Sequence, residues 1–423
     1  MLPAGSPLSA WLAWLETLSP REIDLGLERV QDVLSRLELA LPPQVLLIAG
    51  TNGKGSTVAM SDALLRAAAY RTGCYTSPHI IDYNERIVID GAPVTDAEII
   101  GAFERIEAVR DGVALTYFEY GTLAAFVLFA ARALDAWVLE VGMGGRLDAT
   151  NAIDPTAALI TNVTLDHCDW LGADVETIAA EKAGVMRAGR PVIFGGAEVP
   201  EAVTRRASGV GADLRVAGRD FTIRANEDGT WDWRGRSHAF ERLALPGLPG
   251  RFQLGNAAAV LALLEAAGLE RALDPDLINR TLPGVSLTGR CQSLRARDRN
   301  WLLDVAHNPG AATVLAATLA ERPVSGRTIA IIGLLDDKDV EGVVQPLLPR
   351  VDAWVAVAPD SRRAIPAADL GRRIANAGNR PCLVADRLDE ALEFARQAAG
   401  ENDRILVTGS FYLVGPVLKR LRI

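Results

Sequence analysis

Apolar residues recur at helical spacing from Leu25 through Leu27, Val30 and Leu34 to Leu37, and Asp24 is placed to cap that helix. Pro42-Pro43 then breaks the pattern before a continuous apolar run, Val45 to Ile48, which predicts a strand buried on both faces. Further short apolar runs end at Thr76, Val141 and Val163, with helical patterns between several of them, as at Asp96 to Val109 and Gly121 to Leu134. Strands that alternate with helices imply a mostly parallel sheet.

Between about Pro191 and Leu245 the pattern changes. The segments Phe221 to Arg224 and Trp231 to Trp233, joined by Asn-Glu-Asp-Gly, predict an antiparallel excursion. Helical spacing returns from Asn256 to Ala267, and the turn-rich stretch from Leu282-Pro283-Gly284 to Thr288-Gly289 reads as a linker. A second alternating series follows, with strands at Trp301 to Val305, Thr328 to Ile332, Trp354 to Ala358, Cys382 to Ala385 and Ile405 to Thr408, and helices such as Leu388 to Ala399. The expected fold is α/β: a domain over 1–286 with a mostly parallel sheet and the antiparallel excursion, then a smaller Rossmann-like domain over 287–423.

A chain of 423 residues is long enough for two such domains. Hydrophobic residues at 49% and charged residues at 23% exclude a disordered chain. The net charge of -9, with Lys and Arg scattered, offers no stripe for a nucleic-acid backbone. Cys74, Cys168, Cys291 and Cys382 lie far apart without a Cys-x-x-Cys pair, so they are expected to be small core residues in a reducing compartment. No basic residue precedes Arg21, and the most apolar window, Leu123 to Leu134, is too short for a bilayer and reads as a buried helix. A cytoplasmic protein without membrane or nucleic-acid partners is expected.

The strand Val45 to Ile48 runs into Gly50-Thr51-Asn52-Gly53-Lys54-Gly55-Ser56-Thr57 and then a helical pattern. That is the setting of a phosphate-binding loop: glycines let N–H groups converge on phosphate oxygens, the helix N-terminus adds its dipole, and Lys54 supplies a point charge. Two departures from the usual expression stand out. Ile48 occupies its first glycine position, and Gly55 separates Lys54 from the Ser56 hydroxyl. Three further strand ends carry Ser77, Glu140 and His167, where open α/β sheets bind ligands and where Mg²⁺ could bridge phosphate oxygens. Taken singly, Ser77 is more often a helix cap, Glu140 a loop anchor and His167 a loop histidine, and Mg²⁺ prefers oxygen to imidazole. The glycine-rich exit Glu140 to Gly145 is followed by Arg146, Asp148, Thr150 and Asn151, a substrate-loop candidate. Glu181-Lys182 in a helical pattern reads as a solvated pair. Asp304 and His307 flank a strand end that opens a helix, with Arg290 in the linker before it; they suit either a catalytic pair or a cap and a first-turn residue.

Gly-Thr-Asn-Gly-Lys-Gly-Ser, Thr-Ser-Pro-His, Leu-Glu-Val-Gly-x-Gly-Gly-Arg-Leu-Asp-Ala-Thr-Asn, Asp-His, Glu-Lys-Ala-Gly and Asp-Val-Ala-His-Asn-Pro occur in that order between Asp24 and Ser410. Together they closely resemble the folylpolyglutamate synthases, which share a ligase fold with the enzymes that add amino acids to cell-wall precursors. The resemblance implies that ATP binds Thr51, Asn52, Gly53, Lys54, Gly55 and Ser56, with Asn256, Arg290 and Asp304 completing the nucleotide site. It implies Mg²⁺ on Ser77, Glu140 and His167, and a carbamate on Lys182. Asp24-Leu25-Gly26-Leu27, Thr116-Tyr117-Phe118-Glu119 and Leu147-Asp148-Ala149 resemble the pteroate pocket of the bifunctional dihydrofolate and folylpolyglutamate synthases. The expectation is therefore a monomeric ligase adding L-glutamate to dihydropteroate and tetrahydrofolate through an acyl phosphate, with Lys54, Lys182 and His307 as catalytic residues. A folylpolyglutamate synthase alone, a cell-wall amino-acid ligase, a switch or motor ATPase and a non-catalytic pterin-binding module are the rival readings. Ser410-Phe411-Tyr412 departs from some relatives, which carry histidine at the last position.

Overall fold

The computed structural model describes residues 5–19, 24–378 and 381–421; Arg21 lies outside them. Eight strands form the larger sheet, and six of these, from Thr72–Tyr75 to Asp213–Val216, run parallel, with Gln44–Ala49 central between Ala136–Glu140 and Ala157–Ile160. The central strand alternates between two cores: Val45, Leu47 and Ala49 enter one, Leu46 and Ile48 the other. That two-sided burial is why it reads as an unbroken apolar run. Because the chain winds outward from this strand in both directions, the crevice beyond its carboxyl end is where such sheets bind ligands.

The antiparallel sheet is smaller than the sequence pattern suggests. Pro191–Phe194 and Asp213–Val216 join the large parallel sheet, and only Thr222–Ala225, Thr230–Arg234 and Ala239–Ala244 form the separate three-stranded sheet. Trp231 and Trp233 are buried between it and helix Phe252–Ala266, and the Trp233 indole donates to the Ala258 carbonyl at 3.1 Å.

The third sheet has six strands, from Gln292–Ala296 to Arg404–Thr408. Five are parallel, and the antiparallel edge strand Gln292–Ala296 alternates half-buried and exposed positions, which hides it from a search for apolar runs. Its central strand Arg404–Thr408 is buried throughout, again divided between two cores.

Other expectations need correction. Asp24 caps no helix: the helix is Glu28–Leu37, and Asp24 pairs with Arg29 at 3.0 Å. The helix expected from Gly121 to Leu134 spans Tyr117–Ala130, because Thr116 and Glu119 close a capping box one turn before the apolar pattern begins. Leu8–Leu18 is a helix without a capping side chain and was not expected. All four cysteines are free, but Cys168 is exposed rather than part of the core. Among the described residues no helix is long and apolar enough to cross a membrane.

Candidate active site

A cavity of about 550 Å³ opens between the carboxyl ends of the two parallel sheets. Thr51 to Ser56, Ser77, Glu140, His167 and Lys182 line it from one side, and Arg290, Asp304 and His307 from the other. Asn256 lines it as well, from the first turns of helix Phe252–Ala266.

The loop is fixed by two glycines. Gly50 has φ +142° and a Cβ there would lie 1.8 Å from the Thr161 hydroxyl oxygen; at Gly53, with φ +87°, it would lie 2.9 Å from Asn256 Oδ1. Helix Lys54–Ala67 starts at once, so its free N–H groups face the cavity mouth. The Lys54 ammonium folds back on the Gly50 and Thr51 carbonyls, at 3.0 and 3.2 Å. Ser56 is buried and accepts a hydrogen bond from Gln253 Nε2, and Gln253 in turn accepts from Asn256. Gln253 was not among the expected residues. Its signal was available: Gln253 and Asn256 are polar residues three apart in a helix that is otherwise apolar up to Glu265 in its last turn.

Glu140 is buried, and one carboxylate oxygen accepts the Ser77 N–H at 3.1 Å. Burial raises its carboxyl, against the opposing charge of Lys54. Among the described residues no donor reaches the other oxygen, and a carboxylate oxygen left open on a cavity wall is what a hard cation takes. His167, at positive φ, is pulled down to about 4 by burial, so its imidazole is neutral and can offer a lone pair. These donors fit a divalent cation completed by phosphate oxygens. Among the described residues no three His, Cys, Asp or Glu side chains could hold a metal alone.

Lys182 is not the solvated partner of Glu181. Glu181 pairs with Arg146 at 2.8 Å, whereas Lys182 is buried, and burial with Lys54 nearby brings its amine down to about 7. Asp304 is likewise not a helix cap. Asn308 caps helix Pro309–Glu321, and Asp304 accepts the N–H groups of Cys291 and Ala306 at 2.8 Å each. Burial raises the Asp304 carboxyl, with Arg290 opposing. His307 Nδ1 lies 2.8 Å from the Val305 carbonyl, which can only accept, so Nδ1 carries the proton and Nε2 keeps its lone pair. Phe411 packs against both His307 and Arg290.

The three segments expected to hold a pterin meet beside this cavity. Arg29 joins Asp24 to Glu119, and Gly142 lies so close that a Cβ there would fall 2.5 Å from the Phe118 ring and 3.2 Å from Asp148 Oδ2. Asp148 caps the turn Ala149–Ala152 and accepts the Met143 N–H at 2.9 Å, which couples this region to the cavity wall. Leu25, Leu27, Tyr117, Phe118 and Leu147 are half-buried, and Gly26 is buried.

Asp166, expected only as part of the Asp-His motif and without a role of its own, sits among polar partners from both sides of the cavity. It accepts from Asn308 Nδ2 at 2.8 Å and Lys338 Nζ at 3.1 Å, and the Nε2 atoms of His307 and His167 lie 3.9 and 4.0 Å away. Burial would raise its carboxyl, but His167, His307 and Lys338 together hold it below the usual carboxylate range.

A phosphate loop facing a histidine with a free lone pair, across a cleft between two α/β sheets, defines a nucleotide-dependent enzyme. Residues 48–264 match the Mur ligase middle domain and 289–411 the Mur ligase glutamate ligase domain. The chain is 40% identical over 417 residues to the dihydrofolate synthase/folylpolyglutamate synthase of Escherichia coli strain K12, covering 98% of this chain and 96% of that one. It superposes on E. coli FolC in complex with DHPP and ADP with a TM-score of 0.93 at 38% identity, over 100% of this chain and 99% of the other. A bifunctional folylpolyglutamate synthase/dihydrofolate synthase with Mn, AMPPNP and L-glutamate bound gives a TM-score of 0.91 at 39% identity, with each chain covered fully. The chain belongs to the Mur ligase family, among its bifunctional dihydrofolate synthase/folylpolyglutamate synthases.

Proposed function

We propose that the chain is an ATP-dependent amide ligase that adds L-glutamate to dihydropteroate, giving dihydrofolate, and to tetrahydrofolate, giving folylpolyglutamates. The observation that carries this reading is the shared cavity that Lys54 lines from one sheet and Arg290 and His307 from the other. In its support, relatives of this chain bind ADP with DHPP, and AMPPNP with Mn and L-glutamate. The working division of the chain is 1–286 for phosphate and pterin and 287–423 for closure over them.

A carboxylate is a poor acylating agent because oxide does not leave. Its oxygen therefore attacks the γ-phosphorus of ATP, the bond to the β-phosphate oxygen breaks, and ADP departs from an acyl phosphate. Lys54 turns from the Gly50 and Thr51 carbonyls to the transferring phosphoryl, while N–H groups of Gly53 to Ser56 hold the neighbouring phosphates. A divalent cation held by Ser77, Glu140 and His167 would supply charge neutralisation on the phosphate oxygens. Asn256, Arg290 and Asp304 hold the rest of the nucleotide. The α-amino group of glutamate attacks the acyl carbon, His307 Nε2 takes its proton, and phosphate leaves the tetrahedral intermediate to give the amide. Asp24 to Leu27, Thr116 to Glu119 and Leu147 to Ala149 hold the pterin acid. The amine of Lys182, lowered to about 7, has a substantial unprotonated fraction at neutral pH and so can add CO₂ as a carbamate.

The test is ADP release with dihydropteroate, with tetrahydrofolate and with a muramyl precursor, each with and without glutamate. Release that needs a pterin acid and glutamate is expected. Release with tetrahydrofolate alone among the three would reduce the reading to one activity, the muramyl precursor would shift it to a cell-wall ligase, and release needing no acceptor would sink it.

A further inference from the structure

We propose that Asp166 is a positioning residue whose buried carboxylate latches the third sheet over the phosphate loop and keeps water from the acyl phosphate. The proposal rests on the ligase reading above.

The latch is built from opposite sides of the cleft. Asp166 follows the strand Ala157–Ile160 of the large sheet, whereas Lys338 and Asn308 follow strands of the third. The Asp166 and Lys338 side chains are only 9% and 7% exposed, so their 3.1 Å contact is shielded from solvent. Other ion pairs that cross between the sheets, Arg251–Glu321 and Lys419–Asp82, are exposed and hold little. Asn308 adds a second strut. Its amide donates to Asp166 at 2.8 Å and exchanges weaker bonds with the amide of Asn52, inside the phosphate loop, at 3.2 and 3.4 Å. One carboxylate therefore fixes the distance between the loop that takes ATP and the segment that carries His307.

Buried pairs of this kind add little net stability against apolar replacements, but they select one geometry. The geometry matters here because water can replace the amine: its oxygen bonds to the acyl carbon, the carbon–oxygen bond to phosphate breaks, and carboxylate and inorganic phosphate are released after ADP has left. A loosened latch converts ligation into futile ATP cleavage.

The experiment compares Asp166→Asn, Lys338→Met and the double variant with the unaltered chain, reading ADP released per glutamate incorporated with dihydropteroate as acceptor. The unaltered chain is expected at a ratio of one. Each single variant is expected to raise that ratio on the order of tenfold, as small misplacements at reacting centres do. The double variant is expected to go no higher, since both changes open the same contact. Lys419→Met, at the exposed rim, is expected to stay at one. Folded variants that are slower but keep the ratio of one overturn the latch, and so do variants that lose the fold, because a positioning role leaves a folded and leaky enzyme. An unaltered chain without pterin- and glutamate-dependent ADP release removes the ligase reading itself, a separate outcome.

Discussion

The Arg29 guanidinium lies 2.9 Å from a Glu119 carboxylate oxygen ninety residues further on, and the other oxygen of that carboxylate accepts the Thr116 N–H at 2.7 Å. Glu119 thus starts one helix and anchors the first turn of another. Glu119→Ala removes a capping box and leaves Arg29 with Asp24 alone, so it is expected to cost about 3 kcal/mol in urea denaturation. Glu119→Gln, which keeps the acceptor for Thr116, is expected to cost less than half of that. Both variants are expected to raise KM for dihydropteroate more than KM for ATP.

Gly50→Ala forces a methyl group 1.8 Å from the Thr161 hydroxyl oxygen at a backbone angle reserved for glycine. Nucleotide affinity is expected to fall by roughly tenfold or more with the circular dichroism spectrum preserved. Gly55→Ala instead meets only ordinary contacts, 3.6 Å from Leu287 Cδ2 and 3.8 Å from Glu140 Oε2, and is expected to lower nucleotide affinity far less than Gly50→Ala.

Lys54→Ala is expected to lower glutamate-dependent ADP release by roughly 10² to 10³-fold, the range for losing one preorganised charge. Lys54→Arg is expected to restore little, since a planar fork cannot replace a point ammonium folded between two loop carbonyls. An unchanged turnover in Lys54→Ala would remove the loop from the mechanism.

His79 accepts the Arg86 Nε–H at 2.9 Å, and burial with Arg86 nearby pulls its imidazole down to about 4 from an ordinary 6.5. Between these values the unfolded chain binds a proton that the folded chain refuses, so folding stability falls as pH drops from about 6.5 to 4. By pH 4 the loss is about 2 to 3 kcal/mol from this residue, the lower figure allowing for solvent screening of a half-buried ring. His79→Gln, which keeps an acceptor without titrating, is expected to narrow the stability difference between pH 7 and pH 4 by that amount, read from denaturant midpoints at each pH.

Elements buried on two faces were legible because burial writes a continuous apolar run: Gln44–Ala49, Thr328–Ile332 and Arg404–Thr408 each fell within a residue or two of expectation. Asp96–Val109 was legible to its ends. Polar devices were harder. Thr116-x-x-Glu119 carried a readable capping box, yet apolar periodicity beginning at Gly121 drew the boundary late. The cavity residues from the motifs converge, and Gln253 could have been found by its spacing from Asn256, but Lys338 does not announce itself. Asp166 and Lys338 are separated by 172 positions, and nothing local to either favours the other. Only the packing of one sheet against the other creates that pair.

The three-stranded sheet lies outside the cavity, yet it is bolted to the helix that serves the phosphate loop: Trp233 bonds the carbonyl of Ala258, two residues beyond Asn256. Anyone trimming the protein to a minimal catalyst would be tempted to replace that appendage with a short turn. The shortened chain would lose the counterweight that seats Gln253 and Asn256, and its grip on nucleotide would weaken although no residue of the cavity had been touched.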